Sequence, residues 1–282
     1  MAAFVPSRDT ATLDLPVPRL CEGRFSSCAV ITDENLWRAC GVRIAFTQRA
    51  GGVSAGPFEG LNLGTHVGDD PASVRANRRA LFEALGIARA ACVQPRQVHG
   101  DRIVSCIDAA DVSSCARQAS EGADGVVVTC DDVAALLCFA DCTPVILVAP
   151  GGSFAVVHAG WRGVMAHIAE QALDALCARA GVGADRVNVY IGPHIRSCHF
   201  EVSPDLARRF ADEFGSGVVR EGRYVDMAHA LCTGLLARGA AAERIADEKA
   251  CTVCDGGVRY YSYRASGGVT GRHAALAVKP SL

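Results

Sequence analysis

The chain lacks any apolar run long enough to cross a bilayer. Its longest runs, such as Val133–Phe139 and Val145–Ala149, fall far short of the roughly 20 residues a membrane helix needs. It lacks a charge excess. Lys and Arg number 28 against 30 Asp and Glu, for a formal charge of −2. No basic field therefore points to nucleic acid or to an anionic membrane surface. It also lacks internal repeats, and no linker rich in proline, serine or charge divides it. Met1–Thr10 carries Arg8 and Asp9 and has no apolar stretch behind a basic start, so no secretion signal is expected there. These absences leave a soluble globular chain of 282 residues, half of them hydrophobic, with neither a membrane nor a nucleic-acid partner.

Cysteine, by contrast, is abundant at 14 residues. A disulfide framework suits a short secreted chain, which this is not. Cys138 and Cys177 sit inside apolar runs, where a free thiol behaves as a small hydrophobe. The expected compartment is the reducing cytoplasm. Cys251-Thr252-Val253-Cys254 is a lone C-x-x-C, and without a second pair it is weak grounds for a metal or redox site.

Strand and helix signals alternate along the chain. Residues 1–40 carry Pro6, Pro16 and Pro18 and little apolar pattern, and an irregular segment packed on the domain is expected. Residues 41–282 are expected to form the catalytic domain. Val42–Thr47 reads as a strand. Asp70 caps a helix that has Pro71 in its first turn, Val74, Leu81 and Leu85 on one face, and Gly86 at its end. Asp124–Thr129, Ala135–Phe139, Pro144–Val148 and Phe154–His158 are short apolar strands, buried on both faces by their composition. Val164–Ala180 reads as a helix and Val187–Ile191 as a strand. Ser203-Pro204 and Asp226 open two further helices, and Ala274–Val278 is a last strand. The expected fold class is α/β (α+β): one domain of mixed strands layered between outer helices.

Three segments place a metal-ligating side chain beside a glycine or proline break. They are Gln97-Val98-His99-Gly100, Ala140-Asp141-Cys142-Thr143-Pro144, and Val157-His158-Ala159-Gly160-Trp161-Arg162-Gly163. Two imidazoles and one thiolate make a three-ligand set that leaves a tetrahedral ion one open position, as in catalytic rather than structural zinc sites. The spacing matches no local zinc motif, so structural, hydrogen-bonded histidines stay open as an alternative on spacing alone.

Further segments widen the pattern: Phe46-Thr47-Gln48-Arg49-Ala50-Gly51-Gly52-Val53-Ser54, Leu61-Asn62-Leu63-Gly64-Thr65-His66-Val67-Gly68-Asp69-Asp70, Ile191-Gly192-Pro193 and Tyr261-Ser262-Tyr263-Arg264. With the three ligand segments they follow the order and rough spacing of one family. From about Arg43 to Val278 the chain resembles the multicopper polyphenol oxidase, or laccase-domain, family. That family is also described as purine nucleoside phosphorylase-like and as peptidoglycan editing factor proteins. The resemblance implies a sandwich of layered mixed sheets flanked by helices. It also implies a zinc held by His-Cys-His, which here are His99, Cys142 and His158, with copper as a second candidate ion. Gln48 stands where the family usually has threonine, and Ser203 where it commonly has glycine. Multicopper oxidation needs several copper centres, typically with many histidines. This chain has eight histidines and one in each ligand motif, so laccase chemistry is not expected.

The activity the resemblance implies is phosphorolysis of adenosine, inosine and methylthioadenosine, with deamination of adenosine. The partners are then a nucleoside and phosphate, and the chain is expected as a monomer or homodimer. An ion with an open position could activate water for attack at purine C6. Arg49, beside Gly51-Gly52, and Arg162, at a helix start, are candidate anion contacts, with a surface ion pair and a turn-orienting role as their plainer readings. Asn62 could bind the nucleoside or close an Asx-turn. Asp141 could act as acid/base or orient a ligand. His66 is a possible acid/base, and Trp161 is expected to pack. A different class of reading pairs Cys142 with His158 as the nucleophile and base of an amide-cleaving hydrolase, which would suit the editing of a peptidoglycan precursor that the resemblance also implies; a hydrolase using the metal site at His99, Cys142 and His158 would suit it as well.

Overall fold

The structure, a computed structural model, describes residues 14–281. The expectations for Met1–Thr10 and Pro6 lie outside the described residues. In chain order the strands are Cys21–Phe25 (β1), Cys28–Thr32 (β2), Arg43–Thr47 (β3), Ala91–Val93 (β4), Ile103–Cys106 (β5), Gly125–Val128 (β6), Val133–Phe139 (β7), Thr143–Val148 (β8), Phe154–Ala159 (β9), Asn188–Ile191 (β10), Val219–Arg220 (β11), Tyr224–Val225 (β12), Ile245–Asp247 (β13) and His273–Val278 (β14). The helices are Glu34–Cys40 (α1), Pro71–Ala84 (α2), Val112–Glu121 (α3), Trp161–Met165 (α4), Ile168–Ala180 (α5), Pro204–Phe214 (α6) and Met227–Ala237 (α7).

Two six-stranded sheets carry the architecture, in the orders β1-β2-β3-β14-β7-β4 and β13-β10-β8-β9-β6-β5. Both mix directions: β14 runs antiparallel to β3 and β7, whereas β4 runs parallel to β7 and β13 parallel to β10. Period-2 alternation sorts the side chains into layers. Along β7, Val133, Ala135, Leu137 and Phe139 enter the core between the sheets, where Ile146, Val148 and Val156 meet them. Ala134, Leu136 and Cys138 point the other way, against Leu81 and Leu85 of the α2 region. The outer face of the second sheet, including Val145, Leu147 and Val157, packs on Leu173, Phe210 and Leu231 of α5, α6 and α7. The result is the expected layered sandwich, helix over sheet over sheet over helix.

Local signals explain the elements. Asp70 accepts the N–H groups of Ala72 and Ser73 and so caps α2, with Pro71 at its first position. The β8–β9 hairpin turns through Gly151 and Gly152, both at positive φ, and closes with Ala149 N donating to Ser153 O at 2.9 Å.

Two expectations are corrected. Of residues 14–40, 14–20 form no regular element, but 21–40 carry two strands and a helix where an irregular segment is expected. After Pro18 the β1–β2 hairpin joins the edge of the first sheet, and α1 follows, capped by Asp33 and stopped by Gly41 at φ 70°. The prolines end before the hairpin begins, so they delay it without preventing it. The expected helix Val164–Ala180 is instead two helices. Its break falls at His167, whose backbone is left-handed (φ 57°). The imidazole nitrogens lie 3.0 Å from Glu170 Oε1 and 2.9 Å from Glu213 Oε1, which anchors a turn that no glycine or proline marks.

Candidate metal centre

Three separate chain segments deliver the three candidate ligands. His99 lies on the loop between β4 and β5, Cys142 on the short crossing between β7 and β8, and His158 near the end of β9. Their donor atoms all lie within 4.8 Å of one another. The imidazoles of His99 and His158 meet edge to face, with ring centroids 4.8 Å apart. Gly160 closes the floor. A Cβ there would stand 3.2 Å from His99 Cδ2, 3.5 Å from Cys142 Sγ and 3.7 Å from His158 Cε1. A cluster of two imidazole nitrogens and one sulfur, with a glycine kept clear beside all three, fits a zinc-type ion with one position left for substrate or water.

Asp124, absent from the sequence expectations, organises this cluster. Fully buried at the start of β6, its Oδ1 lies 2.7 Å from His158 Nδ1. That contact leaves Nε2 of His158 for an ion, as carboxylate–histidine pairs do in metal sites. The same carboxylate accepts the backbone N–H groups of Val98, His99 and Gly100 at 3.2, 2.9 and 2.8 Å. These bonds hold His99 at φ 60°, a left-handed conformation uncommon for a side chain of this size. One carboxylate thus orients one ligand by its ring and another by its backbone. A signal was present in the sequence: an aspartate set directly before the apolar run Gly125–Val128.

The electrostatics suit a ligand thiolate. Burial alone would raise the Cys142 pKa, but the charges of His158 and His99 and the hydrogen bonds with them bring it down to about 6. Burial would lower His158, yet Cys142 and Asp124 raise it to about 9. The thiolate, the form that ligates metals and attacks electrophiles, is therefore favoured near neutral pH. Burial raises the Asp124 pKa, but bonding from His158 and the loop amides outweighs it and the carboxyl is lowered overall.

The cluster lies in the wall of a cavity of about 420 Å³, which is also lined by Phe139, Phe200, Tyr263, Arg264 and Arg272. Asp141 lines it too, but both of its oxygens are engaged. Thr252 Oγ1 donates to one at 2.6 Å and the Arg264 N–H to the other at 2.6 Å. His66 also lines the cavity; burial, with Arg272 and Arg78 nearby, lowers its pKa.

The other expected contacts lie elsewhere. Arg49 donates to Gly257 O at 2.7 Å and Glu59 O at 2.9 Å, with its guanidinium over the Tyr261 ring. It does not line the cavity. Arg162 is exposed, lies over the Trp161 ring and does not line it either. Asn62 is fully buried. Its amide donates to Asp69 at 2.8 Å and its oxygen accepts from Gly64 and Arg272 N–H, which ties the Leu61–Gly64 loop to the start of β14. Trp161 is half-buried and packs on the helical core. The cationic side chains at the cavity are Arg264 and Arg272, and the sequence reading had singled out neither.

A family model described as multi-copper polyphenol oxidoreductase laccase matches residues 43–279. The chain is 36% identical over 236 residues to a purine nucleoside phosphorylase of Deinococcus radiodurans, covering 82% of this chain and 87% of that one. It is 34% identical over 256 residues to the purine nucleoside phosphorylase YlmD of Geobacillus stearothermophilus, covering 85% and 93%. The crystal structure of YlmD from Geobacillus stearothermophilus aligns with a TM-score of 0.83 at 29% identity, over 95% of this chain and all of that one (100%). A Bacillus licheniformis hypothetical protein, YfiH, aligns at 0.80 and 28% identity, over 90% of this chain and 98% of that one.

Proposed function

The chain belongs to the family described as multi-copper polyphenol oxidoreductase laccase, and from that premise we propose that it is a zinc-dependent purine nucleoside enzyme. The proposed reactions are phosphorolysis of adenosine, inosine and methylthioadenosine to the free base and the sugar 1-phosphate, and hydrolytic deamination of adenosine to inosine and ammonia. The observation that carries this reading is the meeting of a His-Cys-His donor set and two arginines in one cavity. Relatives named purine nucleoside phosphorylase support it.

His99, Cys142 and His158 would hold the ion, with copper as the second candidate. When bound, it would supply Lewis-acid polarisation and lower the pKa of water at its open position. The chain's own residues do the rest. Asp124 fixes the imidazole of His158 and the backbone of His99. Arg264 and Arg272 offer the positive charge that phosphate needs beside the ribose. Phe139 and Phe200 give the purine an apolar wall. His66, kept neutral near pH 7 by its lowered pKa, can accept a proton in the cavity. Asp141 acts by position, tying the backbone of Arg264 and Thr252 to the segment that carries Cys142. Arg49 and Asn62 serve the site through the loops they brace, and Arg162 has no part in it beyond its contact with the Trp161 ring.

One geometric fact favours a second reading. Asp124, His158 and Cys142 stand in series, as in a thiolate hydrolase whose base is oriented by a carboxylate. A peptidoglycan-precursor amidase would use that series. The deciding experiment assays adenosine with and without phosphate before and after chelation and zinc return. Adenine release that needs phosphate, ammonia release that does not, and loss of both on chelation with recovery on zinc support the nucleoside reading. Absence of both in zinc-loaded protein, with cleavage of a cell-wall amide that survives chelation, would replace it with the amidase.

A further inference from the structure

A second group of metal-ligating side chains lies apart from the first. Cys198 and His199 end the loop that leaves β10, and Cys251 and Cys254 form the turn that follows β13. Because β10 and β13 pair in parallel, both loops leave the same end of the sheet. The pairing continues past the strands: His194 N donates to Ala250 O at 3.3 Å and Thr252 N to His194 O at 3.1 Å. The four donor atoms lie within 4.8 Å of one another. Cys198 Sγ is 3.5 Å from Cys254 Sγ, and His199 Nδ1 is 3.3, 3.7 and 3.4 Å from the sulfurs of Cys198, Cys251 and Cys254.

We propose that Cys198, His199, Cys251 and Cys254 form a closed, structural zinc site that pins one wall of the cavity. Two sulfurs bound tetrahedrally to one zinc stand about 3.7 Å apart, and a sulfur and an imidazole nitrogen about 3.5 Å. The separations here are of that size. Three thiols, one imidazole and no carboxylate select zinc over calcium or magnesium. Four protein ligands leave no open position, in contrast to the three at His99, Cys142 and His158. The C-x-x-C that looked solitary in sequence has its second pair 52 residues upstream of Cys251 at His199 and next to it at Cys198. The backbone is prepared as well. Arg196 N donates to Cys251 Sγ at 3.5 Å, and Asp255 N closes the turn onto Cys251 O at 3.0 Å. A disulfide between Cys198 and Cys254 would leave Cys251 and His199 without a common purpose.

The position gives the site its role. Ile195 and Phe200 on one pinned loop line the cavity, as do Tyr263 and Arg264 beyond the other. Arg264 Nη1 donates to His199 O at 3.2 Å, and Thr252, inside the C-x-x-C, donates to Asp141. An ion here would brace the cationic wall without touching substrate.

The test is zinc content per chain, by elemental analysis and native mass spectrometry of protein purified without a metal-binding tag. Wild type should hold two zinc ions, C198S/C254S one, H99A one, and the combined variant none. Should C198S/C254S fail to fold, cobalt titration of stripped wild type decides. Two equivalents should bind, and the thiolate-to-cobalt absorption of the three-thiolate site should be about threefold that of the one-thiolate site. A single zinc in wild type that C198S/C254S retains, a single cobalt equivalent with one-thiolate absorption, or a Cys198–Cys254 disulfide in protein prepared without reductant would each overturn the proposal; one equivalent with three-thiolate absorption would uphold it and count against the site at His99, Cys142 and His158.

Discussion

Asp124 and His158, both buried, face each other across 2.7 Å, and the oxygen that meets the imidazole also accepts the backbone N–H of His99. Two metal-ligand candidates 59 residues apart by their numbering therefore answer to one carboxylate.

Asp124→Asn should separate orientation from ligation. The amide keeps the shape but loses the charge and turns one acceptor into a donor that opposes the loop N–H groups. Zinc affinity should fall about 10–100-fold, as for other carboxylates behind a ligating histidine. Competition against a chromophoric chelator reads this directly. Unchanged affinity would reduce Asp124 to a packing residue.

Gly160→Ala should strike the centre through space alone. Its backbone, at φ −69° and ψ 167°, suits alanine. The added methyl would press on the His99 ring, 3.2 Å from Cδ2, while meeting Cys142 Sγ at an ordinary 3.5 Å. Metal occupancy should drop while the melting temperature of the metal-free protein stays within a few degrees of wild type, a change of about 1 kcal/mol or less. Equal metal content in both proteins would remove the steric role assigned to Gly160.

Arg272→Met and Arg49→Met should part company. Arg272 lines the cavity, and losing a charge-assisted contact worth about 1.5–3 kcal/mol should raise the phosphate KM roughly 10–100-fold. Arg49 holds the carbonyls of Gly257 and Glu59, so its loss should lower thermal stability and leave the phosphate KM near wild type. A phosphate KM that rises with Arg49→Met instead would return the anion seat to the Gly51-Gly52 loop.

His167 should make stability depend on pH. Burial would lower its pKa, but the bonds to Glu170 and Glu213 and their charges raise it overall. A raised pKa means the folded state holds the proton more tightly. The stabilisation is then complete below the unfolded value of about 6.5 and fades as pH climbs through the folded value. Asparagine tolerates the left-handed backbone, so His167→Asn isolates the charge. The melting-temperature gap between wild type and His167→Asn should be widest near pH 6 and narrow by about pH 9. An equal gap at both would remove the ion pairs from the account.

The central strands were legible because glycine, proline and aspartate bracket each apolar run. Their layering was not. Every residue of β7 is apolar, so the alternation between two cores leaves no period to read. α3 was missed for a related reason: Ser113 and Ser114 dilute a face that only Cys115 and Ala119 bury. At the site, the three ligands each stand beside a backbone break and in a family motif, and the structure brings them together. Arginines gave no comparable signal. Whether Arg49 or Arg272 reaches the cavity depends on the path of the loop before β14, which contacts distant in sequence decide: Asn62 to Arg272, and Tyr261 Oη to Phe58 and Glu59. Asp124 and the Cys198-His199 pair give no sequence signal of their role because their partners lie far along the chain, on the loop at Val98–Gly100, on β9 and in the turn at Cys251–Cys254.

Cys142 stands where the chain passes from one sheet to the other: Phe139 ends β7 in the first, and Thr143 begins β8 in the second. His158 belongs wholly to the second sheet, and His99 to the loop after the first sheet's edge strand. The donor set therefore comes into being only when the two sheets have stacked, and an ion recognising it recognises the native chain alone. Such a ligand adds its binding free energy to the folding equilibrium, about 2.7 kcal/mol at a free concentration of 100 times Kd. Were an ion to bind there, the folded fraction of this chain, and not its reaction rate alone, would rise with the free metal concentration.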